Sequence, residues 1–175
     1  MNRRIALRAF SGAMASPLLL AMPHLAGAQT AKLPTLDHSQ YKAETLMLGS
    51  LSHQASTLAA ERTRNAKVKQ FAQFEIAEQI TMAQVLTDEN SPKPVPLDPT
   101  NGAVLTHLQG VSDKEFDRTY VQDALTVHDE LLHAQQAFLN TQPSDDDYRH
   151  IAMLARTTIQ MHQALLHDLQ SMLAT

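Results

Sequence analysis

The stretch from Ser112 to Asn140 repeats apolar side chains at the spacing of an amphipathic helix. At alternating four- and three-residue steps it carries Tyr120, Ala124, Val127, Leu131, Ala134 and Phe138. This stripe predicts a long α-helix that buries one broad face. Ser112 and Glu115 have the spacing of a capping box, so we expect the helix to begin there. One ionisable residue, His128, falls within the buried face, where it is either a packed core residue or a ligand.

Three further segments have the same helical period. The first is predicted over Asp37–Arg62, with Asp37 as its cap, and the second over about Ala66–Thr87. The last is predicted over about Asp145–Leu173, with Ser144 and Asp147 forming its cap. No segment has the alternating pattern of a strand, so the sequence predicts an all-α, four-helix bundle.

Proline dominates the connection between the second and third predicted helices. Pro92, Pro94, Pro96 and Pro99 follow one another closely, which excludes a regular helix across them, whereas residues 103–109 predict a short helical turn. An extended segment of about 20 residues is long enough to run the length of a bundle. The segment therefore predicts a crossover that makes the second and third helices parallel, while a simple up-and-down order stays open.

Residues 1–28 have the features of an export signal peptide. Arg3, Arg4 and Arg8 precede a weakly apolar run, and Ala26-Gly27-Ala28 is a small-x-small cleavage signal. The run is interrupted by prolines and is too short for a membrane helix. We expect cleavage near Ala28, a helical domain over residues 29–175 and a periplasmic location. The leader fits both the Sec and the twin-arginine routes.

Composition excludes several classes of function. Without the leader arginines the chain has 11 basic and 18 acidic residues, a net charge of about −7, which disfavours nucleic acid and anionic membranes as partners. The chain has no cysteine, so thiolate ligands, disulfides and cysteine nucleophiles are excluded. No phosphate-binding loop or nucleophile elbow is present, so no catalytic residue is assigned. A homo-oligomer or a periplasmic protein partner is compatible with the amphipathic helices.

Five polar residues interrupt the predicted buried faces: Glu44, Glu75, Gln79, His128 and His162. Two neutral imidazoles with one or two carboxylates are a ligand set for zinc, iron or copper. Counting turns places Gln79 level with the histidines if the second and third helices are parallel, and Glu75 level with them if the helices alternate. We predict Glu44, Glu75, His128 and His162 as metal ligands and Gln79 as part of a structural polar layer. The alternative is a hydrogen-bonded layer that fixes helix register without a metal.

Three segments resemble one exported bacterial family. They are YKAETLMLGSLSHQASTLAAERTRNAKVKQFAQFEIAEQ, EFDRTYVQDALTVHDELL and IAMLARTTIQMHQALLHDL. They are similar to the family called domain of unknown function 4142, often labelled predicted outer-membrane protein. The resemblance covers about residues 37–173 and implies a ferritin-like bundle with a long crossover and an exported location.

The resemblance also implies positions for a metal site. Members carry an acidic residue in the first helix, an Asp-His pair in the second and a histidine in each of the last two. His128 matches the third-helix histidine, the pair falls at Glu78-Gln79, and the first-helix acid falls near Ser52.

Two functions are compatible with these features. The first is a non-enzymatic periplasmic bundle protein connected with envelope or stress physiology. The second is a metal-binding bundle that stores or buffers an ion or performs oxidase-type chemistry. Convergence of the inward carboxylates and imidazoles to within about 5 Å of a common point distinguishes the second function from the first.

Overall fold

The computed structural model describes residues 34–174, and within this range every regular element is helical. The helices are α1 (His38–Arg62), α2 (Ala66–Thr87), α3 (Pro99–Gly110), α4 (Asp113–Leu139) and α5 (Asp146–Leu173). The predicted all-α class is confirmed. The described residues form five helices, because the helical turn predicted over residues 103–109 is part of a complete helix in the proline-rich connection. The predicted leader and its cleavage point lie outside the described residues.

The additional helix, α3, starts at the last of the four clustered prolines. Pro99 occupies the first turn, where a missing amide proton breaks no helical hydrogen bond, and Asp98 caps the helix by accepting from the amide of Asn101 at 2.8 Å. The three earlier prolines lie in the extended segment before it. Proline thus excludes a helix from that segment but starts one at residue 99.

Two predicted helix caps are replaced by other contacts. The side chain of Ser112 makes no capping hydrogen bond, and the Glu115 carboxylate lies 4.0 Å from Arg118 instead of turning back to the helix start. At α5 the cap is Asp145, whose carboxylate accepts from the amides of the second and third residues that follow it. The capping box predicted at Ser112 and the cap predicted at Ser144 and Asp147 are therefore wrong, whereas Asp37 caps α1 as predicted.

Side-chain contacts at two levels define the helix directions. Tyr41–Gln135 and Ser56–Tyr120 join α1 to α4, and His128–His162 and Gln122–Gln170 join α4 to α5. Both pairs of helices are therefore antiparallel. The short turn after α1 makes α2 antiparallel to α1 as well, so α2 and α4 run parallel. The extended segment and α3 return the chain along the molecule between them, which excludes a simple up-and-down order.

The polar residues of interest lie between two apolar clusters of the core. The first cluster includes Phe71, Ala124, Leu125 and Leu166, and the second includes Leu48, Val127, Leu131 and Ile159. His128 on α4 and His162 on α5 fall between members of the two clusters along their helices. The helices thus hold these imidazoles inside the core rather than at its edge.

All large apolar side chains that are exposed among the described residues belong to α2 and α5. They are Phe74, Ile80, Val85, Met153, Leu154, Met161 and Leu165. The seam between α2 and α5 is also the least closely packed of the lateral seams between the long helices. Within residues 34–174, no helix combines the length and the apolar character that crossing a membrane requires.

Candidate metal centre

Three ionisable side chains from three helices meet inside the core: Glu75 of α2, His128 of α4 and His162 of α5. The Glu75 Oε2 atom lies 3.4 Å from Nε2 of His128 and 3.1 Å from Nδ1 of His162. The two imidazole nitrogens are 3.3 Å apart. One oxygen and two nitrogens therefore form a nearly equilateral triangle.

The size of this triangle matches that of a metal coordination sphere. Zinc binds histidine nitrogen and carboxylate oxygen at about 2.0–2.1 Å, which places neighbouring ligand atoms of a tetrahedron about 3.3–3.4 Å apart. The edges of 3.1–3.4 Å agree with that separation. An ion fits at the centre of this group with little movement of the side chains.

The surroundings of His128 fix its tautomer. Its Nδ1 lies 2.7 Å from the carbonyl oxygen of Ala124, and since a carbonyl only accepts, Nδ1 carries the proton that is donated. In the neutral ring the lone pair is then on Nε2, which faces Glu75. A backbone hydrogen bond of this kind orients and strengthens a metal-binding imidazole.

The carboxylate of Glu75 is fully buried and only half satisfied. Its Oε1 atom accepts from Ser52 Oγ at 2.7 Å and from Gln79 Nε2 at 2.8 Å. Its Oε2 atom makes no hydrogen bond of adequate geometry, although two imidazole nitrogens lie close by. A buried acceptor without a donor is costly, so this oxygen requires a proton or a cation in front of it.

The charges of the group depend on one another. Burial alone would raise the pKa of Glu75, but the two histidines and the Ser52 hydroxyl outweigh burial and hold the pKa of this carboxyl well below its usual range. Burial lowers the pKa of His128, yet the neighbouring Glu75 carboxylate outweighs burial and raises it. Glu75 is therefore an anion at neutral pH, and it favours a positive charge beside it.

The second nitrogen of His162 faces another carboxylate. Its Nε2 lies 3.4 Å from Oε2 of Glu78, one turn along α2 from Glu75. The contact is an ion-pair distance without a hydrogen bond, and it favours a proton on Nε2, which leaves the Nδ1 lone pair directed at the triangle. Glu78 thus has the place beside the imidazole that carboxylates have in many metal sites. Burial raises the pKa of Glu78, and the neighbouring His162 opposes that rise.

Gln79 belongs to the polar layer, where it contacts Glu75 rather than a histidine. Its position depends on a glycine, because a Cβ atom on Gly49 would lie 2.5 Å from Gln79 Oε1. The absence of a side chain at Gly49 therefore lets Gln79 fit between α1 and α2 and donate to Glu75.

Glu44 does not reach the group. It lies half-buried and lines a groove of about 510 Å³ that also includes Glu130 and His133. The reason is its level on α1. Ser52 is the α1 residue that contacts Glu75, and Glu44 lies eight residues before Ser52, about 12 Å along the axis. Glu75, His128 and His162 thus converge without the fourth predicted ligand.

Two contributing residues, Ser52 and Glu78, were not predicted as site residues from the helical period. Glu78 and Gln79 follow Glu75 by three and four positions, so the three share one face of α2. A polar run on an otherwise apolar helical face is the signal that identifies Glu78. Ser52 carries no such signal in the helical period, since a buried serine is common in helices. The family resemblance marked its position, and its contact with Glu75 shows its role.

Comparison with known proteins identifies a family. The model of the family described as Domain of unknown function (DUF4142) matches residues 22–169 of the chain. No curated protein and no solved structure shows significant similarity to it. The matched residues include the whole of α1 to α4 and most of α5, together with every residue of the candidate site. The chain therefore belongs to the DUF4142 family.

Proposed function

We propose that this protein binds one transition-metal ion between α2, α4 and α5, with Glu75, His128 and His162 as ligands. The observation that carries the proposal is the buried Glu75 Oε2 atom, which lacks a hydrogen-bond donor and faces two imidazole nitrogens at coordination spacing. A dication satisfies all three atoms at once. A single proton can form a hydrogen bond between only two of these three atoms.

The donor set favours zinc, and iron or copper are the next best fits. Two imidazoles and one carboxylate leave a fourth position of a tetrahedron for water or another small ligand. The same set is also the facial triad that binds ferrous iron. The centroid of the Phe71 ring lies 6.1 Å from that of His128 and 5.4 Å from that of His162. An apolar side chain beside the ion keeps the local dielectric constant low.

We propose a binding role, such as storage or buffering of the ion, rather than catalysis. The Glu75 and His128 side chains are 0% and 1% exposed, so a substrate has no direct approach to an ion that they hold. The parallel α2 and α4 with a long crossover support assignment of the fold to a ferritin-like bundle of four long helices. Bundles of that kind hold metals between facing helices.

We further propose that the protein acts in the periplasm after removal of residues 1–28. The leader pattern of residues 3–28 supports this location. Cell fractionation, with mass spectrometry of the purified chain, tests it. A mature amino terminus near Gln29 in the periplasmic fraction is the expected result, and an intact Met1 in the cytoplasm contradicts it.

The test of metal binding is elemental analysis of protein purified without chelators from its native compartment. We expect close to one ion per chain in the wild type and none in the His128→Ala, His162→Ala double variant. The matched control replaces two exposed histidines, His133 and His167, with alanine and should retain the metal. Metal-free wild type that shows no thermal shift with zinc, iron or copper would sink the proposal.

A second candidate is a purely structural polar layer. It is favoured by the two hydrogen bonds that Glu75 Oε1 accepts from Ser52 and Gln79, which would also hold a Glu75–His128 ion pair in place. In that case the triangle holds a shared proton and fixes the register of the helices. The elemental analysis separates the two candidates.

A further inference from the structure

A nearly enclosed site needs a path by which its ion arrives. Among the ionisable residues around the triangle, exposure is greatest at Glu78. The side chains of Glu75 and His128 are 0% and 1% exposed, that of His162 is 8% exposed, and that of Glu78 is 25% exposed. Glu78 is therefore the member of this set that solvent reaches most readily.

The side of the site that faces α1 is closed. Ser52 and Gln79 both hold Glu75 Oε1, and the Gln79 side chain is wedged against Gly49. Beyond Gln79 lies a groove of about 470 Å³ between α1, α2 and the proline-rich segment. Gln79 is neutral, its Nε2 is hydrogen-bonded to Glu75 and its Oε1 lies against Gly49, so its side chain stands between that groove and Glu75.

The opposite side opens on the loosely packed seam between α2 and α5. Glu78 lies there beside His162, with its Oε2 atom 3.4 Å from the imidazole Nε2. The exposed Phe74 lies one turn before Glu78 on α2, and the exposed Met161 and Leu165 neighbour His162 on α5. A carboxylate beside apolar side chains attracts a cation more strongly than one in open water, because the local screening is weaker.

We propose that Glu78 is the capture residue of the metal centre, and this inference rests on the proposed function. Glu78 binds the incoming hydrated dication at the α2/α5 seam and transfers it to the adjacent His162. The ion then passes the edge of the His162 ring from the Glu78 side to the Glu75 side, where Nδ1 of the imidazole binds it. The final ligands remain Glu75, His128 and His162, and Glu78 then returns to orienting the imidazole.

The experiment separates capture from orientation by measuring both rate constants. Chelator-treated mature protein is mixed with Co²⁺ in a stopped-flow instrument, and the visible absorption of the bound ion is followed. Release is measured with excess chelator. Glu78→Gln is the informative variant, because it keeps an oxygen beside His162 Nε2 while the negative charge is lost. Glu78→Asp keeps the charge, and Glu44→Gln is the matched control at a carboxylate outside the site.

We expect Glu78→Gln to lower the association rate constant about tenfold, the size of an electrostatic steering effect, while the dissociation rate constant stays close to that of the wild type. The wild-type association rate should fall with added salt, and that of Glu78→Gln should depend on salt less. Glu78→Asp should retain most of the rate, and Glu44→Gln all of it.

Three outcomes would overturn the inference. Association of Glu78→Gln at the wild-type rate, or a loss confined to the dissociation rate, would leave Glu78 as an orienting residue only. Faster uptake by Gln79→Ala, together with a wild-type association rate in Glu78→Gln, would show that the ion enters through the groove beside α1. A wild-type protein that develops no Co²⁺ absorption and holds no metal would instead overturn the proposed function itself, and the capture role with it.

Discussion

Glu75 is the residue on which the centre depends, because it is a buried anion whose environment is arranged around its charge. Ser52 and Gln79 satisfy one oxygen, and the second oxygen faces the two imidazoles. The substitution Glu75→Gln removes the charge but keeps the size of the side chain. Its amide oxygen can still accept from both Ser52 and Gln79. The variant therefore tests the charge rather than the packing.

The metal-free protein should be most stable between about pH 5 and pH 6.5, the interval between the ordinary pKa values of a glutamate and a histidine. The pKa of Glu75 is depressed in the folded state, so its contribution is present above the usual carboxyl pKa and is lost as the pH falls. The pKa of His128 is raised, so its contribution is present below the usual histidine pKa and is lost as the pH rises.

Thermal melts of chelator-treated protein from pH 4 to pH 9 check this profile. In Glu75→Gln both the acidic and the alkaline slopes should flatten, because neither side chain then has a charged partner. A wild-type profile as flat as that of the variant would show that the pair does not contribute to stability.

The close approach of Gly49 to Gln79 gives a second prediction at this scale. Replacing a helical glycine with alanine normally stabilises by about 1 kcal/mol. Here the new Cβ atom would lie 2.5 Å from Gln79 Oε1 and would displace the amide from Glu75. Gly49→Ala should therefore fail to stabilise the wild type but should stabilise the Gln79→Ala background by about 1 kcal/mol. Urea denaturation of the four proteins measures it, and equal effects in both backgrounds would contradict it.

The sequence predicted which residues point into the core from each helix, but not their relative heights along the bundle axis. Ionisable side chains on an apolar stripe are conspicuous because the helical period fixes the angle at which each residue points, and Glu75, His128 and His162 were found in this way. Height along the bundle depends instead on how the helices are offset by packing, which no local pattern records. For that reason Glu44, which points in a suitable direction from α1, lies too far along the helix axis. For the same reason, counting helical turns with parallel helices placed Gln79 level with the histidines, whereas Glu75 is the residue that meets them.

At the scale of the elements, Arg62 joins the end of α1 to the junction of α3 and α4. Its guanidinium donates to the carbonyl oxygens of Leu108, Gln109 and Val111 at 3.4, 3.2 and 2.8 Å. It also contacts Asp113 at 2.7 Å and lies 4.2 Å over the Phe116 ring. One side chain thus binds the last carbonyls of α3 and the start of α4, a region without a side-chain cap at Ser112.

Arg62→Lys should destabilise the protein almost as much as Arg62→Ala, by about 2 kcal/mol in each case. A lysine keeps the charge but lacks the planar fork that reaches several carbonyls at once. Asp113→Asn is the control and should cost far less than either variant of Arg62, because this carboxylate is 87% exposed. Denaturant midpoints measure the series, and a lysine variant as stable as the wild type would contradict this role of the fork.

The long helices were predictable from sequence because their apolar period is sustained, and at α1 the predicted cap, Asp37, agrees with it. α3 was not predicted as a complete helix, because its first proline follows three others that belong to an extended segment. Whether a proline ends one segment or begins the next depends on the residue before it. Here Asp98 provides the cap that allows Pro99 to start a helix.

At the scale of the whole molecule, an ion bound only by the folded state should stabilise it. Zinc at one hundred times its dissociation constant would add about 2.7 kcal/mol to the free energy of unfolding. The gain should be smaller at pH 5.5 than at pH 7.5, because protons compete with the ion for the imidazoles and the pKa of His128 is raised. Calorimetry with and without zinc at pH 7.5 and pH 5.5 checks this, with His162→Ala as the variant that should show no gain at either pH.

The three candidate ligands belong to two helical hairpins, α1 with α2 and α4 with α5, and they meet beside the seam between α2 and α5, whose backbones approach less closely than those of the other neighbouring long helices. A bound ion would hold the two hairpins together at this seam. Without the ion, the α4–α5 hairpin of one copy is able to dock on the α1–α2 hairpin of another by the same contacts that it makes within its own chain. Refolding at high concentration in the presence of a chelator should therefore yield domain-swapped dimers, and refolding with zinc should yield monomers.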